Sequence, residues 1–213
     1  AGSIGGSNIL GFEIQNNRTL RGMVNGGYSN TTGCPISSGT VPLKVWTHCA
    51  LVLNSGTWTI YLNGSADGTG TGSYPSGTNH STAYVGRVFY DDGRDADMVV
   101  SDLRITSDAQ YTTTFTPPTA PLSSSGAGFH IKGTDASVVD KSQNANLTLI
   151  GTTQGSSVAK FGSYGISIPT GASGIEIPQA DVQFGLTDFS IETWVKFDAI
   201  TNSGTGSDQY IIS

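Results

Sequence analysis

Charged residues are scarce in this sequence: they make up 12% of its 213 positions, against a usual share of about 25%. The net charge is −6, and the Lys and Arg residues form no cluster. Because nucleic acids are bound through basic patches, this distribution argues against a nucleic-acid partner. Long apolar runs are missing as well. The run from Cys49 to Leu53 falls far short of the ~20 residues that a membrane helix needs, so we expect no membrane insertion.

Cysteine is nearly absent, since Cys34 and Cys49 are the only two. A disulfide between them would close a gap of 14 residues and stabilise the fold by about 3 kcal/mol in an oxidising compartment. The two residues could equally remain separate thiols, with Cys49 acting as a small apolar side chain in a buried strand. The sequence leaves both interpretations open.

Glycine, by contrast, is abundant: 29 of the 213 residues are Gly, about twice the usual share of ~7%. Ser, Thr and Asn are also frequent, so the chain is rich in turn formers and β-branched residues and poor in helix formers. This composition predicts an all-β protein. The length is sufficient for one large β-sandwich.

Period-2 alternation of apolar residues predicts about eleven short strands separated by polar turns. They are Ile9–Ile14, Thr19–Val24, Val45–Leu53, Trp58–Leu62, Ala83–Phe89, Met98–Ile105, Gly128–Lys132, Ala159–Ile168, Gly174–Ile177, Phe189–Phe197 and Tyr210–Ile212. Residues 65–82, which are rich in Gly, Ser and Thr, are predicted to be a surface excursion. Short strands with polar turns and no convincing helix indicate an antiparallel sandwich of the jelly-roll type.

The strand Phe189–Phe197 has the clearest alternation. Its core-facing residues are predicted to be Phe189, Ile191, Val195 and Phe197, and its outward residues Ser190, Glu192, Trp194 and Lys196. An outward Trp beside polar groups can stack on a sugar, which makes Trp194 and Glu192 the candidate glycan-binding residues. The other interpretation is that this face meets a second sheet or a neighbouring subunit, because large aromatic side chains are mostly buried. His48 is predicted to be a hydrogen-bonded buried histidine rather than a ligand.

Three segments resemble the laminin G-like, concanavalin A-like lectin family. Phe189–Phe197 (FSIETWVKF) resembles the strand that opens such domains, and Trp46–Gly64 resembles their central hairpin. Val100–Pro118 resembles their closing strand with its tail into a Pro-Pro segment, as in phage and other viral appendage proteins. The resemblance implies a concanavalin A-like jelly-roll sandwich. The closing segment precedes the opening one here, so the sandwich is expected to be circularly permuted or cut mid-repeat.

The segment from Asp140 to Asn144 (DKSQN) resembles a turn that follows the first strand of many such domains. The resemblance implies a Ca²⁺ site in which Asp140 and Asn144 are joined by Asp102 of the closing strand. An isolated turn in which Asp140 bonds its own backbone explains the segment equally well. The acidic turn Tyr90–Asp97 could also bind Ca²⁺, or could simply be a solvated hairpin tip.

Some relatives that share this sandwich are glycoside hydrolases, which carry paired carboxylates on one strand face. One carboxyl group protonates the leaving oxygen, and the other attacks or activates water. The three Glu of this sequence are Glu13, Glu176 and Glu192, and none has an acidic residue two positions away. No nucleophile motif, phosphate loop or Cys/His metal cluster is present either. We therefore expect no catalytic residues and no enzyme activity.

The rotated order predicts a division at the segment 116–122, whose Pro and Thr residues cannot continue a strand ladder and indicate a linker. Residues 1–115 would form the C-terminal part of a laminin G-like sandwich. Residues 123–213 would form the N-terminal part of the same domain, permuted, or of the next repeat. Because no basic-then-apolar leader precedes Ala1, we expect a fragment of a longer polypeptide or a chain whose signal was removed.

This organisation favours a structural or adhesive repeat of an extracellular fibre, capsid decoration or surface filament that assembles head-to-tail with copies of itself. Each half alone would expose unpaired strand edges and an apolar face, which a neighbouring copy could cover. The alternative is a secreted or surface lectin-like module that binds cell-surface or matrix glycans, with Ca²⁺ as its only candidate cofactor. Both functions place the chain outside the cell or on a cell or virion surface.

Overall fold

A computed structural model describes most of the chain. The described residues are 10–23, 33–72, 82–87, 96–135, 137–142, 145–171, 173–178, 188–200 and 209–213. They form strands, turns and bends, and no helix among them is long and apolar enough to cross a membrane. The predicted all-β, antiparallel sandwich is confirmed.

The described residues form sixteen strands, numbered in chain order. They are β1 (Gly11–Ile14), β2 (Thr19–Met23), β3 (Ile36–Thr40), β4 (Thr47–Asn54), β5 (Thr57–Leu62), β6 (Ser65–Thr71), β7 (Thr82–Val85), β8 (Asp97–Thr106), β9 (Ala127–Gly133), β10 (Val138–Asp140), β11 (Thr148–Ile150), β12 (Gln154–Ser156), β13 (Gly165–Ile168), β14 (Gly174–Pro178), β15 (Phe189–Ala199) and β16 (Gln209–Ile212). A seven-stranded sheet has the order β11-β14-β7-β16-β1-β2-β3. A nine-stranded sheet has the path β10-β9-β8-β15-β4-β5-β6, and β13 joins it through β8 and pairs with β12.

Each sheet contains strands that precede segment 116–122 in the sequence and strands that follow it, and the two sets are interleaved. In the nine-stranded sheet, β15 lies between β8 and β4 and pairs antiparallel with both. In the seven-stranded sheet, β16 pairs with β1 and β7, and β14 pairs with β7. The two parts of the chain therefore depend on each other for their hydrogen-bonded neighbours.

The core lies between the inner faces of the two sheets. The residues of β15 that were predicted to face it, Phe189, Ile191, Val195 and Phe197, are all fully buried, so this alternation is confirmed. Trp58 packs edge-on against Phe189 with 5.3 Å between ring centroids, and its Nε1 donates to a backbone carbonyl 2.9 Å away. Burying an apolar side chain of this size contributes roughly 1.5–3 kcal/mol, so these residues account for much of the stability.

Five strands of the described residues were not predicted, β3, β6, β10, β11 and β12, and β13 is shorter than predicted. Residues 65–71, predicted as part of a surface excursion, form the edge strand β6. Their polar, Gly-rich sequence reflects the tight approach of β6 to residues 33–37, which include the start of β3 and where a Cβ at Gly68 or Gly70 would overlap backbone atoms. β13 begins at Gly165 rather than Ala159. Residues before it form a loop tied to the Ser101 hydroxyl, to which the Phe161 amide donates at 3.4 Å.

Residues 107–126, which we call the covering segment, connect β8 to its hydrogen-bonded neighbour β9. On the way, the segment crosses the outer face of the nine-stranded sheet. The Gln110 amide donates to the Ser190 hydroxyl at 2.8 Å, and the Phe115 amide donates to the Gly64 carbonyl at 2.9 Å. Tyr111 and Phe115 pack on a small apolar cluster of β4 and β5. The segment 116–122, predicted as a linker, is therefore part of a connection that lies against the sheet.

Glycine substitutions test this packing. We expect Gly70→Ala to lower the free energy of unfolding by about 1–3 kcal/mol, because its Cβ would overlap the Gly33 carbonyl, and backbone cannot move aside as a side chain can. Gly128→Ala is the matched control, since its Cβ would meet only one atom, the Ile105 carbonyl oxygen at 4.0 Å. Urea unfolding followed by tryptophan fluorescence measures both variants. Equal losses in the two would contradict the close approach of β6.

Candidate functional site

Polar and aromatic side chains meet on the outer face of the nine-stranded sheet. Trp194 of β15 lies opposite His48 of β4 and Asp102 of β8, and Glu192 lies opposite Arg104 of β8. His48, Asp102 and Glu192 are each at most 1% exposed, although an outer sheet face is ordinarily solvated. The covering segment accounts for much of this burial. The outer face of the nine-stranded sheet is therefore buried as the core is, but its side chains are largely polar.

Glu192 accepts hydrogen bonds from three side chains. Arg104 donates to Oε1 through Nε, at 2.6 Å, and through Nη2. Oε2 accepts from the Tyr111 hydroxyl and lies 3.3 Å from His48 Nε2. Burial alone would raise the pKa of Glu192, but the His48 hydrogen bond, the Arg104 charge and the Tyr111 hydrogen bond outweigh it and hold that pKa below its ordinary value. Glu192 is thus an ionised carboxylate whose oxygens are fully engaged within the protein.

Arg104 connects this carboxylate to both ends of the covering segment. Its Nη2 donates to Gln110 Oε1 at 3.2 Å, and its Nη1 donates to the Ser123 carbonyl at 3.1 Å. Between these ends, Tyr111 stacks on Phe115 with 3.6 Å between ring centroids. Burial and the neighbouring Glu192 raise the pKa of the Tyr111 hydroxyl, so it remains a hydrogen-bond donor. The cluster fastens the covering segment to the sheet.

The candidate glycan-binding residues are not available to a sugar in this structure. Trp194 is 6% exposed, with the Lys160 ammonium 4.4 Å from its ring centroid and the Phe161 ring edge-on at 5.7 Å. Glu192 is 1% exposed. The alternative interpretation, in which this face is covered, describes their positions better. The cover, however, comes from loops of the same chain rather than from a second sheet or a subunit.

The predicted calcium ligands are not brought together. Asp140 is paired with the core residue Ile131, whereas Asp102 is paired with Lys132, so the two carboxylates leave opposite faces of the sheet. Asp140 accepts from the Ser142 amide at 2.9 Å and from the Ser142 hydroxyl at 2.6 Å, as in the isolated turn that was the alternative.

Other parts of the calcium prediction fall outside the described residues. Asn144 is one such position, and the acidic turn Tyr90–Asp97 is described only from residue 96 onward. Within the described ranges, no group of three or more His, Cys, Asp or Glu side chains could hold a metal ion.

The cysteines are buried thiols. Cys34 is 1% exposed and Cys49 is fully buried in the core, and the two are not bonded to each other as a disulfide. Burial raises the pKa of the Cys49 thiol, because the apolar core disfavours a thiolate. Of the two interpretations that the sequence left open, the structure therefore shows the second.

Sequence reasoning missed Arg104 and Tyr111 as partners of Glu192, although it predicted a hydrogen-bonded histidine at His48. Arg104 and Glu192 are 88 positions apart in the sequence, and Tyr111 and Glu192 are 81 apart. Alternation along β8 and β15 places Arg104 and Glu192 on outward faces, which is the one available signal. The strand register that places Arg104 beside Glu192 depends on how β8 pairs with β15, and the sequence of neither strand alone determines it.

The Glu192 cluster predicts a pH-dependent stability. Glu192→Gln leaves Arg104 buried without its counter-charge, so we expect the free energy of unfolding to fall by roughly 3 kcal/mol near neutral pH. The pKa of Glu192 is lower in the folded state than the value of 4.5 in the unfolded state. The difference in stability between the wild type and Glu192→Gln is therefore fully present above pH 4.5 and is lost as the pH falls through the folded pKa. Urea titrations near pH 7 and near pH 3 measure it. Glu176→Gln, at a half-buried carboxylate of the other sheet, is the control, and a pH-independent difference for Glu192→Gln would contradict the assignment.

Comparison with known proteins agrees with this architecture. A sequence model of the laminin G type, described as the concanavalin A-like lectin/glucanases superfamily, matches residues 2–112, which is more than half of the chain. No curated protein matches the sequence. Domains of this type are generally non-catalytic binding folds and are often extracellular. The chain belongs to the laminin G-like branch of the concanavalin A-like lectin/glucanase superfamily.

Proposed function

We propose that the chain is a structural or adhesive domain of an extracellular fibre, capsid decoration or surface filament, and that it joins neighbouring copies head-to-tail by exchanging its two halves. The observation that supports this proposal is the position of β15. This strand follows segment 116–122 in the chain, yet it pairs on one side with β8 and on the other with β4, both of which precede that segment.

Removal of β15 would leave the facing edges of β8 and β4 unpaired and would uncover the core side chains beneath them. Such edges associate readily with another strand. The same strand pairs can form whether the second half belongs to the same chain or to a neighbour. Exchange between chains is therefore a low-cost route to assembly, and it gives an open filament when each copy completes the next.

The connection between the halves suits such an exchange. Pro117, Pro118 and Pro121 have no amide N–H, so residues 116–122 take part in no strand ladder that would be lost if the chain were rerouted. Arg104 holds the neighbouring parts of the covering segment, at Gln110 and Ser123. The hinge would thus be confined to the Pro- and Thr-rich stretch.

The lectin-like alternative has less support. Its two candidate residues, Trp194 and Glu192, lie beneath the covering loops, and the Glu192 oxygens already accept hydrogen bonds from the protein. Adhesion to glycans would require a different surface of the same domain.

Engineered cysteines distinguish closed from exchanged chains. Tyr84 of β7 and Glu176 of β14 are half-buried, directly opposed, and come from different halves. Opposed residues of antiparallel strands have Cα atoms about 4.5–5.5 Å apart, which is a separation that a disulfide can span. In the double variant Tyr84→Cys, Glu176→Cys, we expect oxidation at high protein concentration to give a ladder of covalent oligomers. Non-reducing gel electrophoresis measures it.

The control joins two positions within one half. Thr57 and Thr71 are exposed and opposed on β5 and β6, so the variant Thr57→Cys, Thr71→Cys can close only within one chain in either state. Oligomers that are equally abundant in both double variants would indicate random collision. A Tyr84–Glu176 double variant that remains a cross-linked monomer at every concentration would overturn half exchange.

A further inference from the structure

A serine, a histidine and an aspartate form a hydrogen-bonded chain beside the Glu192 cluster. Asp102 Oδ1 lies 3.0 Å from His130 Nε2, and Ser124 Oγ lies 2.9 Å from His130 Nδ1. We propose that these residues form an acyl-transfer site, in which Ser124 is the nucleophile and the protein hydrolyses small esters. This activity goes beyond the proposed structural function and does not depend on it.

One tautomer of His130 fits general-base activation of the serine. In the neutral tautomer whose Nε2 carries the proton, His130 donates to Asp102 Oδ1. In that tautomer Nδ1 has a free lone pair and can accept from the Ser124 hydroxyl. His130 then has the base role of a nucleophile–base–carboxylate triad, with its two ring nitrogens used in the opposite sense from the Ser-His-Asp arrangement, in which Nε2 faces the serine and Nδ1 the aspartate.

The base and its carboxylate are buried, while the nucleophile is accessible. Asp102 is fully buried and His130 is 2% exposed, on the paired strands β8 and β9. Ser124 is exposed, on a turn closed by the Ala127 amide, which donates to the Ser124 carbonyl at 3.2 Å. Arg104 holds the preceding carbonyl, so the turn has a fixed position over His130. A buried base beneath an exposed hydroxyl is the arrangement that activation requires.

The turn is open at Gly126, two positions after Ser124. Gly126 has a φ of +73°, and a Cβ built there would meet nothing within 4 Å. Its amide takes part in none of the backbone hydrogen bonds of the described residues, so it can donate to an oxyanion that forms beside Ser124. No atom of the described residues encloses the turn at Gly126 to hold a large substrate, so we infer small, unhindered esters as the substrate class.

The reaction would proceed in two balanced steps. Ser124 Oγ attacks the ester carbonyl while its proton passes to His130 Nδ1, and the alcohol leaves with that proton, which gives an acyl-serine and the free alcohol. Water then attacks the acyl-serine, its proton passes through His130 back to Ser124 Oγ, and the acid is released. No metal or oxidant is needed. Asp102 is a positioning residue that fixes the imidazole tautomer.

Covalent labelling of the full chain provides the test. A fluorophosphonate probe would react when Ser124 Oγ bonds to phosphorus, fluoride leaves and the serine proton passes to His130. We expect peptide mass spectrometry to locate the label on Ser124, and hydrolysis of p-nitrophenyl acetate to fall at least about 100-fold in Ser124→Ala, as for loss of base-assisted attack. Ser125→Ala, one position away on the same exposed turn, is the matched control and should keep wild-type labelling and hydrolysis.

The positioning role of Asp102 has its own readout. In Asp102→Asn, the amide can donate to Nε2, so the imidazole proton should move to Nδ1, which can no longer accept from Ser124. Nitrogen-15 NMR of the His130 ring should report this tautomer change, and labelling of Ser124 should fall even if the variant is fully folded. Labelling of Ser124 no faster than that of Ser125 in the wild type would overturn the proposal. Retention of both the tautomer and the labelling in Asp102→Asn would exclude Asp102 from it.

Discussion

The ion pair between Glu192 and Arg104 constrains the outer half of this structure. Two charges on the middle strands of a sheet would ordinarily face water, and removing them from water costs several kcal/mol per ion unless each is hydrogen-bonded. Arg104 meets this requirement by binding the carboxylate and two sites on the covering segment at once. The pair therefore depends on the covering segment for its partners, and the covering segment depends on the pair for its attachment.

Three layers are therefore packed together around β15: the seven-stranded sheet, the nine-stranded sheet and the covering loops. Its inner side chains, such as Phe189 and Phe197, lie in the core between the sheets. Its outer side chains, Glu192 and Trp194, lie beneath the covering loops. A strand that is buried on both faces and paired on both edges cannot be removed without a large loss of contacts. The order of the chain, which supplies β15 after segment 116–122, consequently makes each part of the chain depend on the other.

The elements that could be predicted from the sequence are those in which pattern and burial agree. β4, β5, β8 and β15 are long, apolar on at least one face and bounded by turn residues, and all four were predicted close to their observed bounds. β6 was missed because its sequence, SADGTGT, has no apolar alternation. What requires glycine at positions 68 and 70 is the backbone of residues 33–37, a segment distant in the sequence that leads into β3. Local propensity carries no information about such a neighbour.

The candidate site was predictable only as a set of residue types on outward faces. The alternation of β15 identifies Glu192 and Trp194 as outward, but outward positions were read as exposed, and the covering segment buries them. That segment has few apolar residues, and its Pro-Pro stretch is typical of a linker. Its attachment depends on Tyr111, Phe115 and the carbonyl of Ser123, which have partners only once the strand register is known. Long-range register is the step that a single sequence leaves undetermined.

The covering segment takes part in two polar clusters, one around Glu192 and one around His130, and they differ in their access to solvent. The Glu192 oxygens accept from three side chains, and neither reaches the surface, so this carboxylate stabilises structure and has no means to act on a ligand. The chain from Asp102 through His130 instead ends at an exposed hydroxyl, that of Ser124. A buried polar group can take part in chemistry only where its hydrogen-bond chain reaches solvent. By that criterion the proposed reaction belongs at the turn of Ser124, and the sugar-stacking position first suggested by Trp194 is part of the interior.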